Sequence, residues 1–490
     1  MIYDLAIIGG GINGTAIARE AARNGLSVIL LEKDDLASHT SSASTKLIHG
    51  GLRYLEYFEF RLVREALKER EVLLRQAPHL IYPLQFVLPH EHAVRPWWLV
   101  RLGLWLYDHI GGRISLPRSR GLNRRDRAFI DPLKRDSHKG FVYSDCWVDD
   151  ARLVVMNALD AQGHGADIRT RTAVSSARRQ EGAWQLSLAN GEEVSAHSLV
   201  NAAGPWVAQM LARTGANSQS AVRLVKGSHI IVPRLFEGQH AYMLQQPDGR
   251  IVFAIAYEDG TTLVGTTDEQ VNAPEDARIS DAEIDYLCAA VNRYFVKQTA
   301  PADVIGTFSG VRPLYDDGAS EAKAVTRDYV LELDSAGPAL LSVFGGKITT
   351  ARHLAEEAVQ KLAAPSGWTI RPATRDAILP GGHLDSPFDA FLAKVMARWP
   401  FLGAARAQRM ARAYGAILEE MLADVGSEAD MGEDFGAGLT QIEVDWLIRH
   451  EWARTAEDIL LRRTKIGLSI DAQATSRLKN YVDLAVQNKI

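Results

Sequence analysis

The sequence predicts an α/β protein in three parts: a discontinuous Rossmann-like dinucleotide-binding domain, an antiparallel-sheet domain and an all-helical C-terminal domain. Three observations predict it. An apolar run, Leu5-Ala6-Ile7-Ile8, leads into Gly9-x-Gly11-x-x-Gly14 and then a stretch of small residues, the order strand, tight turn, helix. Between residues 221 and 315, alternating apolar segments are joined by Asp248-Gly249 and Asp259-Gly260, the pattern of antiparallel strands. From 388 to 490 the apolar residues recur at helical spacing with almost no strand signal.

Taken in order, the first strand ends at Ile8, a helix runs over 15–24 with Gly25 at its C-terminus, and a second strand over 27–31 delivers Glu32. A hydroxyl-rich loop follows at 38–45. Short strands between 165 and 205, with an Asn190-Gly191 hairpin signal, close in Ser198-Leu199-Val200 and then Asn201-Ala202-Ala203-Gly204-Pro205-Trp206, a second piece of the first domain. A strand over 339–344 runs into Gly345-Gly346-Lys347 and a helix to about residue 362, repeating the N-terminal order. Pro380-Gly381-Gly382 then separates off the helical part. The expected limits are 1–65, 145–210 and 335–370 for the dinucleotide domain, 66–144 and 211–334 for the substrate domain, and 385–490 for the helical domain.

A chain of 490 residues with 47% apolar side chains is long enough for several cores, and a net charge of -5 gives no reason to expect nucleic acid. Cys146 and Cys288 show neither metal nor redox spacing, so no metal centre or disulfide framework is expected. No signal peptide precedes the first strand, and the longest apolar run, 97–107, is shorter than the roughly 20 residues of a spanning helix. A cytoplasmic protein is the expectation, with attachment to a membrane surface left open.

The glycine loop offers backbone N–H groups and a helix N-terminus to a pyrophosphate, and Glu32 suits the hydroxyls of an unphosphorylated ribose. NAD and FAD share that half of the molecule. The chain leaves at Glu32 without completing a second mononucleotide half and returns to the glycine pattern only near Gly204 and Gly345, a discontinuity that favours an embedded flavin.

Longer motifs carry a resemblance. They are Ser41-Ser42-Ala43-Ser44-Thr45-Lys46-Leu47-Ile48-His49-Gly50-Gly51-Leu52-Arg53-Tyr54-Leu55, Tyr143-Ser144-Asp145-Cys146-Trp147-Val148-Asp149-Asp150-Ala151-Arg152 and Lys226-Gly227-Ser228-His229. Gly265-Thr266-Thr267-Asp268, Ser309-Gly310-Val311-Arg312-Pro313-Leu314, Thr326-Arg327-Asp328-Tyr329 and Phe344-Gly345-Gly346-Lys347-Ile348-Thr349-Thr350 extend it. In these the sequence resembles the FAD-linked glycerol-3-phosphate dehydrogenases, relatives of the D-amino-acid oxidase-like flavoproteins. The C-terminal part, with Glu451-Trp452-Ala453-Arg454-Thr455, is similar to that family's cap domain. The resemblance implies non-covalent FAD, sn-glycerol 3-phosphate as substrate, membrane quinone as acceptor and peripheral attachment to the cytoplasmic face of the inner membrane. A homodimer is also carried as an expectation.

Hydride removal from a secondary alcohol needs a phosphate clamp, a base and a fixed flavin. Arg312 and Arg327 are the expected clamp, with Arg53, Tyr54, Thr266 and Lys347 around the substrate. The base is left open between His49 and His229, with Lys347 as a third candidate that more naturally stabilises negative charge. For the cofactor, Gly9, Gly11, Ile12, Asn13 and Gly14 are expected at the pyrophosphate and Glu32 at the ribose. Ser41, Ser42, Lys46, Leu47, His49 and Gly50 are expected along the flavin, with Val174, Ala203, Gly204 and Trp206, and Gly345, Gly346, Lys347 and Thr349 meeting it from the other side.

Trp97, Trp98 and Trp105, with basic flanks and Arg118, Arg120, Arg124, Arg125 and Arg127 nearby, suit an anionic lipid surface; the competing reading is a buried helix beside a solvated basic loop. The rival functions are a glycerol-3-phosphate oxidase using oxygen, an amine or amino-acid oxidase, and a flavin-binding regulatory protein without turnover.

Overall fold

The structure is a computed structural model that describes residues 2–488 apart from 92, 94, 113, 135–137, 217–220 and 317–327, and without the side chain of residue 259. Its first sheet has a parallel centre: Leu340–Phe344, Glu193–Asn201, Ile2–Ile8, Val28–Leu31 and Asp167–Arg169 lie side by side in that order. The first strand reads as a continuous apolar run because both its faces are covered. Leu5 and Ile7 pack under the helices Ile12–Arg23, Asp150–Gly163 and Ala351–Ser366. Ala6 and Ile8 pack on the other face against Ala177, Trp184 and Leu186 of the antiparallel strands Val174–Gln180 and Ala183–Leu188.

The second sheet has ten strands and is antiparallel except where Ala241–Gln245 runs beside Ile81–Pro89. Its long pair, Val222–Pro233 against Gly306–Tyr315, sets Val225 opposite Arg312 and Gly227 opposite Gly310. Two strands near the expected domain borders belong to this sheet. Leu47–Ile48 and the whole of Gly140–Val148 pair here, whereas Val330–Asp334 pairs with Leu340–Phe344 in the first sheet. Strand partners far apart in sequence decide these borders, and local pattern carries no trace of them.

The first helix starts at Ile12, three residues ahead of the expected start at Thr15, because its first free N–H, that of Ile12, is accepted by the Ser41 hydroxyl at 3.0 Å. The C-terminal domain gathers the helices Phe388–Arg398, Gly403–Tyr414, Gln441–His450 and Ala472–Gln487 around one apolar core, with a small hairpin of Asp434–Gly436 and Leu439–Thr440.

Candidate active site

A cavity of about 310 Å³ opens at the C-terminal ends of the parallel strands. Gly9, Gly11, Ile12, Asn13, Glu32, Ser41, Val174, Ala203, Gly204, Trp206, Gly345 and Gly346, all named above as cofactor candidates, line it. Lys33, His39, Thr172 and Glu275 also line it and were not singled out by their patterns.

Gly9 has φ +113, and a Cβ there would fall 2.5 Å from the Ala202 carbonyl oxygen. Gly14 lies one helical turn away from the cavity, but a Cβ on it would fall 1.9 Å from the Gly9 oxygen. These two glycines let helix, turn and neighbouring strand close together and leave backbone N–H groups exposed to an anion. Replacing Gly14 with Ala is therefore expected to yield protein purified without flavin, checked by the ratio of 450 nm to 280 nm absorbance.

Glu32 is buried and accepts the N–H groups of Gly10 at 2.6 Å and Asp34 at 2.8 Å. Asn13 donates to the Gly345 carbonyl at 3.1 Å, which ties the glycine loop to the 345–346 turn. The Asn13 Oδ1 and Ser38 Oγ atoms are buried without a partner among the described residues. Polar atoms of this kind call for a ligand's hydroxyls or a bridging water, and here they sit along a dinucleotide-shaped trough. Trp206 has Lys33 3.8 Å from its ring centroid and His39 at 4.5 Å, and its Nε1–H donates to Glu275 at 2.7 Å.

Three expected cofactor residues point their side chains elsewhere. Ser42 is turned toward the His39 carbonyl, and Lys46 is buried in an ion pair with Asp150 at 2.9 Å. Leu47 packs into the core of the second sheet. The physical reason is common to the last two: at Lys46–Leu47 the chain leaves the loop and enters a strand whose side chains must fill the interior.

Beyond the cavity's inner end the two glycine turns face one another. The His49 N–H donates to Thr349 Oγ1 at 3.3 Å, and the Gly50 N–H donates to the Tyr107 hydroxyl at 2.7 Å. His49 Nδ1 accepts the Gly51 N–H at 3.1 Å. The Lys347 ammonium lies 4.1 Å from the Tyr54 ring centroid, which joins two expected substrate residues.

On the second sheet, Arg312, Thr266 and His229 come together. The Arg312 guanidinium pairs with Asp268 at 2.9 Å and donates to the Thr267 carbonyl at 2.9 Å. Gly227 makes room for it, since a Cβ there would fall 2.1 Å from Arg312 Nη2 and 2.6 Å from Thr266 Oγ1. Gly265 does the same for the His229 ring, whose Cδ2 a Cβ would meet at 2.0 Å. His229 stacks on Phe308 at 4.7 Å, shares a hydrogen bond of 3.0 Å with Thr45 Oγ1, and has a buried Nδ1 without a partner among the described residues. Burial, with the charges of Lys46 and Arg312, holds its pKa down at about 3, so the ring is neutral at physiological pH. Both glycines stand inside motifs quoted above, and their role becomes visible only once the strands are paired.

Arg53 is placed differently from the expectation. It hydrogen-bonds the Tyr57 hydroxyl at 3.3 Å and lines a second, apolar cavity of about 710 Å³ with Phe58, Leu99, Leu102 and Arg250. Arg327, the other half of the expected clamp, lies outside the described residues.

Residues 4–352 match the family described as "FAD dependent oxidoreductase", and residues 372–488 match the "C-terminal domain of alpha-glycerophosphate oxidase". A glycerol-3-phosphate dehydrogenase of Pseudomonas aeruginosa is 52% identical, covering 98% of this chain and 95% of the relative. The aerobic glycerol-3-phosphate dehydrogenase of Escherichia coli is 48% identical, covering 99% and 98%. A D-erythritol 1-phosphate dehydrogenase of Brucella abortus is 50% identical, covering 98% of both. Among solved structures, a glycerol-3-phosphate dehydrogenase from Bacillus halodurans with FAD bound aligns with a TM-score of 0.75 at 25% identity, covering 99% of this chain and 95% of that one. The cavity and these relatives agree: the chain is an enzyme of the FAD-dependent oxidoreductase family, in the branch of the glycerol-3-phosphate dehydrogenases, and FAD is its cofactor.

Proposed function

We propose that this enzyme oxidises sn-glycerol 3-phosphate to dihydroxyacetone phosphate and delivers the electrons to membrane quinone at the cytoplasmic face of the inner membrane. The observation that carries the substrate reading is the meeting of Arg312, Thr266 and a neutral His229 on one sheet, where Thr45 of the hydroxyl-rich loop reaches His229. Arg312, paired with Asp268, and Arg327 form the phosphate clamp. His229 is the base for the 2-hydroxyl proton, with Thr45 hydrogen-bonded to its Nε2. His49, whose Nδ1 accepts the Gly51 N–H, is a hydrogen-bonding residue of the substrate site. Lys347 stabilises negative charge that develops beside it. FAD, when bound, supplies the two-electron acceptor for the hydride from C2.

The membrane reading is supported by the helix Trp97–Ile110, along which Trp98 is 65% exposed, Leu102 52% and Trp105 51%. Phe58, 79% exposed, and Phe60 extend this apolar face beside the second cavity, where a quinone ring has an apolar bed with Arg53 and Arg250 at hand. Among the described residues no helix is long and apolar enough to cross a membrane.

A longer polyol phosphate is the second reading, favoured by the Brucella relative at 50% identity. Steady-state rates with the two phosphate esters, each with a soluble quinone and with oxygen alone, separate the alternatives. The expected result is kcat/KM at least tenfold higher for glycerol 3-phosphate than for D-erythritol 1-phosphate, and faster turnover with quinone than with oxygen. A preference for the four-carbon ester sinks the substrate reading, and equal turnover with oxygen sinks the acceptor.

A further inference from the structure

Residues 35–46 form one wall of the cofactor cavity, with Ala37, Ser38, His39, Thr40 and Ser41 lining it. Both ends of this segment are strained, because Ala37 and Lys46 hold φ +60 without being glycine. Such residues keep that conformation only where their surroundings impose it. Besides the Ala37 N–H donating to the Gly10 carbonyl at 3.1 Å, contacts with the C-terminal domain reach both ends. At one end, Asp35 is buried and receives Arg463 through two hydrogen bonds of 2.7 and 2.8 Å and Arg462 Nε at 2.7 Å. At the other, Lys465 reaches Asp150 at 2.9 Å and Asp149 at 2.5 Å. Asp150 in turn accepts the Ser44 hydroxyl at 2.7 Å and the Lys46 ammonium at 2.9 Å, and that ammonium also donates to the Ser42 carbonyl at 2.9 Å.

Four consecutive positions of the C-terminal domain, 462–465, thus supply three cations that fasten both ends of a segment whose middle faces the cofactor. We infer that the C-terminal domain is a clamp for FAD retention: Arg462, Arg463 and Lys465 are positioning residues that hold the 35–46 wall closed on the cofactor. None of the three lines the cavity. Asp35, Lys46, Asp150, Arg463 and Lys465 are buried, with Arg462 and Asp149 partly so, and removing one partner of a buried pair leaves its mate unsatisfied. The inference rests on the FAD cavity alone and is independent of the choice of substrate or base.

The test is equilibrium binding of FAD to deflavinated full-length protein, with the melting temperature of the apoprotein measured alongside. Lys465→Met is expected to raise the FAD dissociation constant at least tenfold, and Lys465→Arg to restore it to within threefold of the native value. Arg409→Gln breaks a buried ion pair with Glu443 internal to the C-terminal domain, 2.6 Å long, and serves as the structural control. It is expected to lower the melting temperature and leave FAD affinity within twofold. If Lys465→Met does not fold, Ser44→Ala decides, since losing one hydroxyl on a charged acceptor weakens affinity by about fivefold under this account. Native FAD affinity in folded Lys465→Met or in Ser44→Ala overturns the inference, as does an equal loss of affinity in Arg409→Gln.

Discussion

Replacing Arg312 with Ala raises KM for glycerol 3-phosphate about a hundredfold and leaves the flavin in place. The size follows from truncating one partner of a charged, hydrogen-bonded pair in a largely desolvated site, which costs about 2–5 kcal/mol. The retention of flavin follows from position: Arg312 does not line the cavity that takes the dinucleotide, which its strand Gly306–Tyr315 reaches through Pro313. Arg312→Lys is expected to recover only part of the loss, since an ammonium cannot hold Asp268, the Thr267 carbonyl and a phosphate in one plane. Steady-state kinetics together with the 450 nm absorbance of the purified variant check this. Loss of flavin with native KM in the residual holoenzyme would mean that Arg312 serves the cofactor.

Replacing His229 with Asn is expected to lower kcat by about a thousandfold with KM changed little, within the range of roughly 10²–10⁴ for loss of a positioned base. A ring with a pKa near 3 is a weak base; burial is the main cause, and the charges of Lys46 and Arg312 add to it. Arg312 is one of the charges that push the ring toward neutrality, and a bound phosphate neutralises it, which raises the basicity of His229 when substrate is present. His49→Asn is expected to cost less, because the account gives it a hydrogen-bonding role. Pre-steady-state flavin reduction separates the two variants; a larger loss of the reduction rate in His49→Asn would exchange their roles.

The parts of this fold that sequence reveals are those in which a local rule has a single physical cause. Gly9, Gly11 and Gly14 announce the turn because no other residue fits φ +113 at Gly9 or 1.9 Å of clearance at Gly14. The helical C-terminal core follows from spacing alone. What stays hidden depends on partners distant in the chain. Lys46 stands in a cofactor-like motif yet turns inward to Asp150, and only the position of residues 149–150 explains it. Arg53 reads as a clamp residue by its company in the sequence, but the turn Leu52–Tyr57 carries it to the apolar cavity. Gly227 and Gly265 read as plain strand glycines until Arg312 and His229 are laid across them. The C-terminal domain offers no catalytic motif, and its Arg462, Arg463 and Lys465 gain meaning only from Asp35 and Asp150 on the other side of the interface.

The central claim, a flavin reduced by a three-carbon phosphate ester, is tested most directly by mixing the purified holoenzyme anaerobically with sn-glycerol 3-phosphate and following its absorbance near 450 nm. The account predicts rapid bleaching with this ester, far slower bleaching with D-erythritol 1-phosphate, and none with glycerol or a D-amino acid. A flavin band that persists with glycerol 3-phosphate, or that bleaches faster with the four-carbon ester, would contradict it.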